Sequence, residues 1–138
     1  MKGADRFIDT NVLLYLLSGD HAKADRAEET VAGGGVISVQ VLNEFASVAS
    51  RTLKMSIAEI REALSPVRAV CRIVPISKET HDHGLRIAER YGLSIYDSTV
   101  LAAALLEGCK VVLSEDLQHG QILEGRLEIR NPFPRAAT

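Results

Sequence analysis

Arg6-Phe7-Ile8-Asp9-Thr10-Asn11-Val12-Leu13 holds a short apolar run that stops at a carboxylate and resumes at helical spacing. Arg6-Phe7-Ile8 is too short for a helix and reads as a buried strand. Residues 11–17 read as a helix, broken by Ser18-Gly19-Asp20. A strand that turns at once into a helix opens an alternating α/β chain.

The alternation continues outward from that stretch. Residues 21–31 read as a polar-leaning helix ended by Gly33-Gly34-Gly35, and Val36-Ile37-Ser38-Val39 as the second strand. Residues 40–53 carry Val41, Leu42, Phe45, Val48 and Ala49 at helical spacing. Ser56 with Glu59 three residues on is a capping-box pattern. That helix runs toward Val70, and Pro66 is expected to break or shorten it. Arg72-Ile73-Val74-Pro75-Ile76 reads as the third strand, its proline pointing to a sheet edge. Ser77 caps a helix over residues 78–91 that ends at Gly92. Residues 97–107 are apolar nearly all round, as in a buried helix. Residues 110–113 and 127–129 give strands four and five, and Asn131-Pro132-Phe133-Pro134 reads as irregular. The prediction is a five-stranded, mainly parallel sheet with helices on both faces and right-handed crossovers. Residues 1–138 read as one domain, since no linker divides them.

Composition bounds the function. Apolar residues make up 46% of the 138 and charged residues 25%, ordinary for a globular protein. Trp is absent, so the core is built mainly from Leu, Ile, Val and Ala. The net charge of −2 argues against a broad basic surface for long nucleic acid. Cys71 and Cys109 lack CxxC spacing and read as reduced and structural, which fits the cytoplasm. The apolar stretch 12–17 is too short for a signal core or a membrane span.

Ligands of open parallel sheets bind beyond the carboxyl ends of the strands. Asp9 follows strand one directly, and Asp116 lies three residues past strand four. Asp97 opens the helix leading into strand four, which sets it at the same edge. Glu44 has Val41 and Val48 as helical neighbours, so it borders the apolar face. Each has a plainer role: Asp9 and Asp97 as helix caps, Asp116 as a turn residue beside a competing Glu115, Glu44 as a boundary residue. Their projection to one place favours a joint role. Two carboxylates ~4 Å apart repel by roughly 4 kcal/mol at an effective dielectric near 20, against a domain stability of about 5–15 kcal/mol. Such a cluster needs protons or a cation. All-oxygen ligands suit Mg²⁺ or Mn²⁺, and that chemistry points to phosphodiester hydrolysis.

Four segments carry a family resemblance. Phe7-Ile8-Asp9-Thr10-Asn11-Val12-Leu13 resembles the opening motif of PIN domains, and Val41-Leu42-Asn43-Glu44-Phe45 their second acidic motif. Ser94-Ile95-Tyr96-Asp97-Ser98 is similar to the third, and Leu113-Ser114-Glu115-Asp116-Leu117-Gln118-His119-Gly120 to the fourth. Their order, spacing and total length look like the VapC-type toxins of toxin–antitoxin pairs. The resemblance implies a three-layer α/β/α sandwich, a Mg²⁺ or Mn²⁺ site, RNA cleavage, a homodimer and an antitoxin protein that occludes the site. It implies Asp9, Glu44, Asp97 and Asp116 as the acidic quartet, supported by hydrogen bonds from Thr10, Asn11 and Ser114.

Arg51, Lys54, Arg61 and Arg68 form either a solvated helix face or a grip on the RNA backbone. His81-Asp82-His83 points its two imidazoles to different helix faces, and His119 reads as a surface residue. Three rival functions share the acidic site. One is a phosphatase with Asp9 as nucleophile, which usually needs a second Asp where Asn11 stands. The others are a non-catalytic interaction module and a DNA nuclease.

Overall fold

Phe7 and Ile8 alternate across a strand, and both are wholly buried, so that strand needs cover on both faces. A computed structural model, which describes residues 3–133, shows helices supplying that cover. Strand β1 (Arg6–Ile8) passes through Asp9 into helix α1 (Thr10–Leu14), which tightens into a 3-10 turn at Tyr15–Leu17. Helix α2 (His21–Ala32) precedes β2 (Gly35–Ser38), and α3 (Val39–Arg51) follows it directly. Next come α4 (Ile57–Val70), β3 (Cys71–Val74), α5 (Lys78–Tyr91) and α6 (Ile95–Leu106). Strands β4 (Val111–Leu113), β5 (Ile122–Leu123) and β6 (Leu127–Arg130) close the described chain.

The sheet runs β3-β2-β1-β4-β6-β5, parallel except for the β5–β6 pair. The architecture is the expected α/β/α sandwich, with six strands rather than five. The additional strand, β5, is two residues long, too short for a hydrophobic period to register. It turns into β6 through Glu124 and Gly125, both at positive φ (51° and 68°). All four residues of β2 are buried, as a strand covered on both faces must be. Helix α6 carries buried residues from Ser98 through Leu105 and packs along α5. No helix among the described residues is long and apolar enough to cross a membrane.

Pro66 neither breaks nor shortens α4. Its missing N–H leaves the carbonyl of exposed Glu62 without a donor on a solvated face, where water replaces it, and the helix continues to Val70. The capping box at Ser56 and Glu59 forms as expected. Asp97 is not a helix cap. Ser94 caps α6 by accepting from the Asp97 N–H at 3.1 Å, which leaves the Asp97 carboxylate free for other work. Val12 and Leu13 are core residues, whereas Leu16 and Leu17 are only partly buried. Of the irregular tail, Pro134 lies outside the described residues.

The strand order locates the site. From β1 the chain winds one way to β2 and β3, then returns to lay β4 on the other side of β1. The carboxyl ends of β1 and β4 therefore form a topological switch point, where α/β sheets open a crevice. Asp9 follows one of these strands and Ser114 the other.

Candidate active site

Asp9 is 6% exposed and has two jobs. Its Oδ1 accepts from the Thr10 N–H at 2.8 Å, which caps α1. Its Oδ2 accepts from Ser114 Oγ at 2.9 Å and from Asn11 Nδ2 at 3.2 Å. Its carboxyl is raised from an ordinary 3.8 to about 6. Burial is the main cause, the bonds from Ser114 and Thr10 oppose it, and the charges of Asp97 and Glu44 add to it. Two of the expected acids therefore lie close enough to Asp9 to repel it.

Asp116 joins through Asn11, whose Nδ2 also lies 3.2 Å from Asp116 Oδ2 and from Ser114 Oγ. Glu44 joins through Thr10, whose hydroxyl donates to Glu44 Oε2 at 3.1 Å. Thr10, Asn11 and Ser114 thus connect three of the acids. Asn11 also accepts, through Oδ1, the Glu115 N–H at 3.0 Å. Removing this hub should loosen both Asp9 and Asp116. Asn11→Ala is expected to lower activity roughly 10- to 100-fold, the usual cost of losing a residue that orients ligands. Steady-state kinetics checks this, and unchanged kcat/KM would show that Asn11 orients nothing.

The Glu115 carboxylate does not join this network. It turns away to Lys23 Nζ, 2.6 Å distant, and accepts from the Tyr15 hydroxyl. Burial raises the Glu115 carboxyl, but the bonds from Lys23 and Tyr15 and the Lys23 charge outweigh that and hold it below the usual range. Lys23 also lies 4.5 Å from the Tyr15 ring centroid and 5.3 Å from that of Phe133. This cluster pins the turn that presents Asp116. Sequence spacing carries no signal for it, because Tyr15 and Lys23 meet Glu115 only in the fold. Gln40 was legible in principle. It precedes Glu44 by one helical turn, donates to Glu44 Oε1 at 2.7 Å, and reaches the Tyr96 carbonyl at 3.3 Å.

Other expected residues lie apart. Arg51 lines a cleft beside Glu44, whereas Lys54 stands exposed past the end of α3 at positive φ (56°). Arg61 and Arg68 are exposed on α4. His83 pairs with Glu124, and His119 accepts from the Asn131 N–H. Among the described residues, no three His, Cys, Asp or Glu side chains form a ready cage for an ion.

The fold and site define an α/β protein with linked carboxylates at its switch point. The chain belongs to the PIN-domain family, whose model matches residues 6–122. Solved structures with this fold include a toxin–antitoxin complex from Klebsiella pneumoniae, 21% identical with a TM-score of 0.70 over 93% of this chain and 98% of that one. The sarcin-ricin loop cleaving toxin VapC20 of Mycobacterium tuberculosis is 19% identical, with a TM-score of 0.65 over 80% of this chain and 91% of that one. VapBC2 of Rickettsia felis, bound to a DNA fragment of its promoter, is 18% identical, with a TM-score of 0.64 over 90% and 97%. No curated protein sequence matches significantly.

Proposed function

We propose that this chain is an endoribonuclease dependent on Mg²⁺ or Mn²⁺, acting in the cytoplasm as the VapC-type toxin of a toxin–antitoxin pair. The bonded network joining Asp9, Glu44 and Asp116, with Asp97 close enough to repel Asp9, supports it most strongly. Its neighbours in fold, which include a sarcin-ricin loop cleaving toxin and toxin–antitoxin complexes, support the biological setting.

The donors fit a hard cation. They are carboxylates, amides and hydroxyls, and the one most buried is destabilised by its own charge and by its neighbours'. An open arrangement suits Mg²⁺, which keeps several waters and takes one or two carboxylates directly. Asp9 and Asp97 would hold it, with Glu44 and Asp116 completing the site directly or through water. When bound, the ion lowers the pKa of a water and neutralises charge developing on the phosphate. Thr10, Asn11 and Ser114 hold Asp9 ready in one orientation, so little reorganisation is needed at reaction. In the hydrolysis, water oxygen bonds to phosphorus, the bond from phosphorus to the 3′ oxygen breaks, and that oxygen takes up a proton. The ends are then 5′-phosphate and 3′-hydroxyl.

The test is incubation of wild type and Asp97→Asn with defined RNAs in Mg²⁺ or Mn²⁺, with end mapping and DNA strands of the same sequence as a comparison. Cleavage of RNA by wild type alone is expected, and 2′,3′-cyclic phosphate ends would defeat the mechanism. Arg51 would hold a backbone phosphate. Arg51→Ala should therefore flatten the dependence of log affinity on log salt by about 0.7, one single-strand contact. An unaltered slope in a binding titration would return Arg51 to the solvated face.

A cognate antitoxin protein belongs to the same proposal. An apolar groove of about 460 Å³, lined by Leu16, Leu17, Val31, Pro66 and Val70, supports a protein partner. The homodimer is proposed with it, and sedimentation at micromolar concentration tests that.

A further inference from the structure

From Glu44 an open cleft runs away from the acidic network along α3. Gln40, Asn43, Glu44, Ser47 and Arg51 recur every three or four residues, so they form one stripe along α3. At 1.5 Å rise per residue the stripe extends about 16 Å. It lines an open cleft of about 680 Å³, to which the first turn of α6 contributes Tyr96. That volume lies within the ~300–1,000 Å³ of small-molecule sites.

Tyr96 is 69% exposed, the most exposed large hydrophobic side chain among the described residues. An isolated exposed ring needs no explanation. This one has a particular setting. It directly precedes Asp97, and its carbonyl accepts from Gln40, which also holds Glu44. The backbone that carries the ring is therefore tied to the framework of the acidic site. At the far end of the stripe, Arg51 Nε donates to Ser47 Oγ at 3.0 Å, which steadies the guanidinium. Between them Asn43 offers an amide, with donors and an acceptor suited to a base edge. An exposed ring, an amide and a guanidinium along one open cleft match the three parts of a single-stranded nucleotide: base face, base edge and phosphate.

We propose that this cleft is a nucleobase-binding subsite, with Tyr96 stacking on the base beside the scissile phosphate and Arg51 holding the next phosphate. The proposal rests on the ribonuclease reading and adds where the substrate is gripped. Stacking uses the ring face and not the hydroxyl, so Phe should replace Tyr96 and Ala should not.

The experiment compares wild type, Tyr96→Phe and Tyr96→Ala on matched short RNAs. One RNA is intact, and the others are abasic on either side of the cleavage point. With wild type, one abasic RNA should lose roughly 5- to 100-fold in kcat/KM, the usual worth of one stacked base. Tyr96→Ala should lose the same on intact RNA and nothing further on that abasic RNA. Tyr96→Phe should stay within about twofold of wild type. Equal losses of Tyr96→Ala on intact and abasic RNAs would mean a structural role and overturn the subsite. Unchanged kcat/KM for Tyr96→Ala would also overturn it. A Tyr96→Ala protein that sediments as a smaller species would assign the ring to a contact between copies instead. Wild type that cuts no RNA in either metal fails the ribonuclease reading, and the subsite falls with it. Wild type that cuts while Tyr96 is silent fails the subsite alone.

Discussion

Asp9→Asn is expected to abolish RNA cleavage while stabilising the metal-free fold. The activity loss should reach at least about a thousandfold, since a metal ligand is worth several kcal/mol and each 1.36 kcal/mol is tenfold. The stability gain follows from burial. Folded Asp9 keeps its proton up to pH about 6, against an ordinary value of 3.8. Its contribution to stability is therefore full below pH 4 and lost as pH rises through about 6. Above that, the ionised carboxylate costs up to about 3 kcal/mol, at 1.36 kcal/mol for each tenfold change in proton affinity. Asparagine never ionises, and its amide, like the protonated acid, keeps one accepting oxygen. In EDTA the variant should be up to about 3 kcal/mol more stable than wild type at pH 8 and about equal to it at pH 4. Added Mg²⁺ should raise the melting temperature of wild type far more than that of the variant. Melting curves at the two pH values decide it: a variant that is less stable at both would remove the claim that Asp9 is strained by its own charge. The same proton competes with the cation, so Mg²⁺ affinity, read by titration, should weaken as pH drops through about 6.

Phe45→Ala should cost about 3–5 kcal/mol, a large share of a domain's ~5–15 kcal/mol. Phe45 is 1% exposed and directly follows Glu44 on α3. Its burial fixes the rotation of that helix, and thereby the direction in which Gln40 and Glu44 face. The urea midpoint should fall by 1 M or more at an unchanged slope, given slopes of about 1–3 kcal/mol/M. Phe45→Leu should recover most of the loss. A shift worth less than 1 kcal/mol would mean that α3 is held by something other than this ring.

The alternation of short apolar runs with helical periods made the α/β class legible, because a parallel sheet needs strands apolar on both faces. Cap chemistry placed most helix ends: Ser56, Ser77 and Gly92 stand where sequence rules put them. β5 escaped because two residues hold no period. Pro66 misled because a proline's lost bond is judged by where its carbonyl partner lies, and exposure is a property of the fold. The candidate site was legible in part. Asp9, Asp97 and Asp116 were singled out by their places at strand ends and helix starts, and Glu44 by its position on the apolar border, and the fold brings them near one another. What lay beyond reach was the pairing of Tyr15 and Lys23 with Glu115, since contacts across 100 and 92 residues leave no mark in local spacing. Tyr96 stood inside a quoted motif, but only its exposure beside the cleft gives it a role.

The two margins of the sheet constrain how this molecule meets others. β3 is four residues long and is followed at once by Pro75, while β5 is a two-residue stub. Neither offers a run of open peptide groups long enough to recruit a strand from another chain. Association by strand addition, and the fibre growth that follows from it, is disfavoured at both margins. That favours guests that bind to side chains on the helical layers, where affinity depends on shape and residue identity and not on the generic peptide ladder. Recognition on this scaffold is in that sense selective by construction.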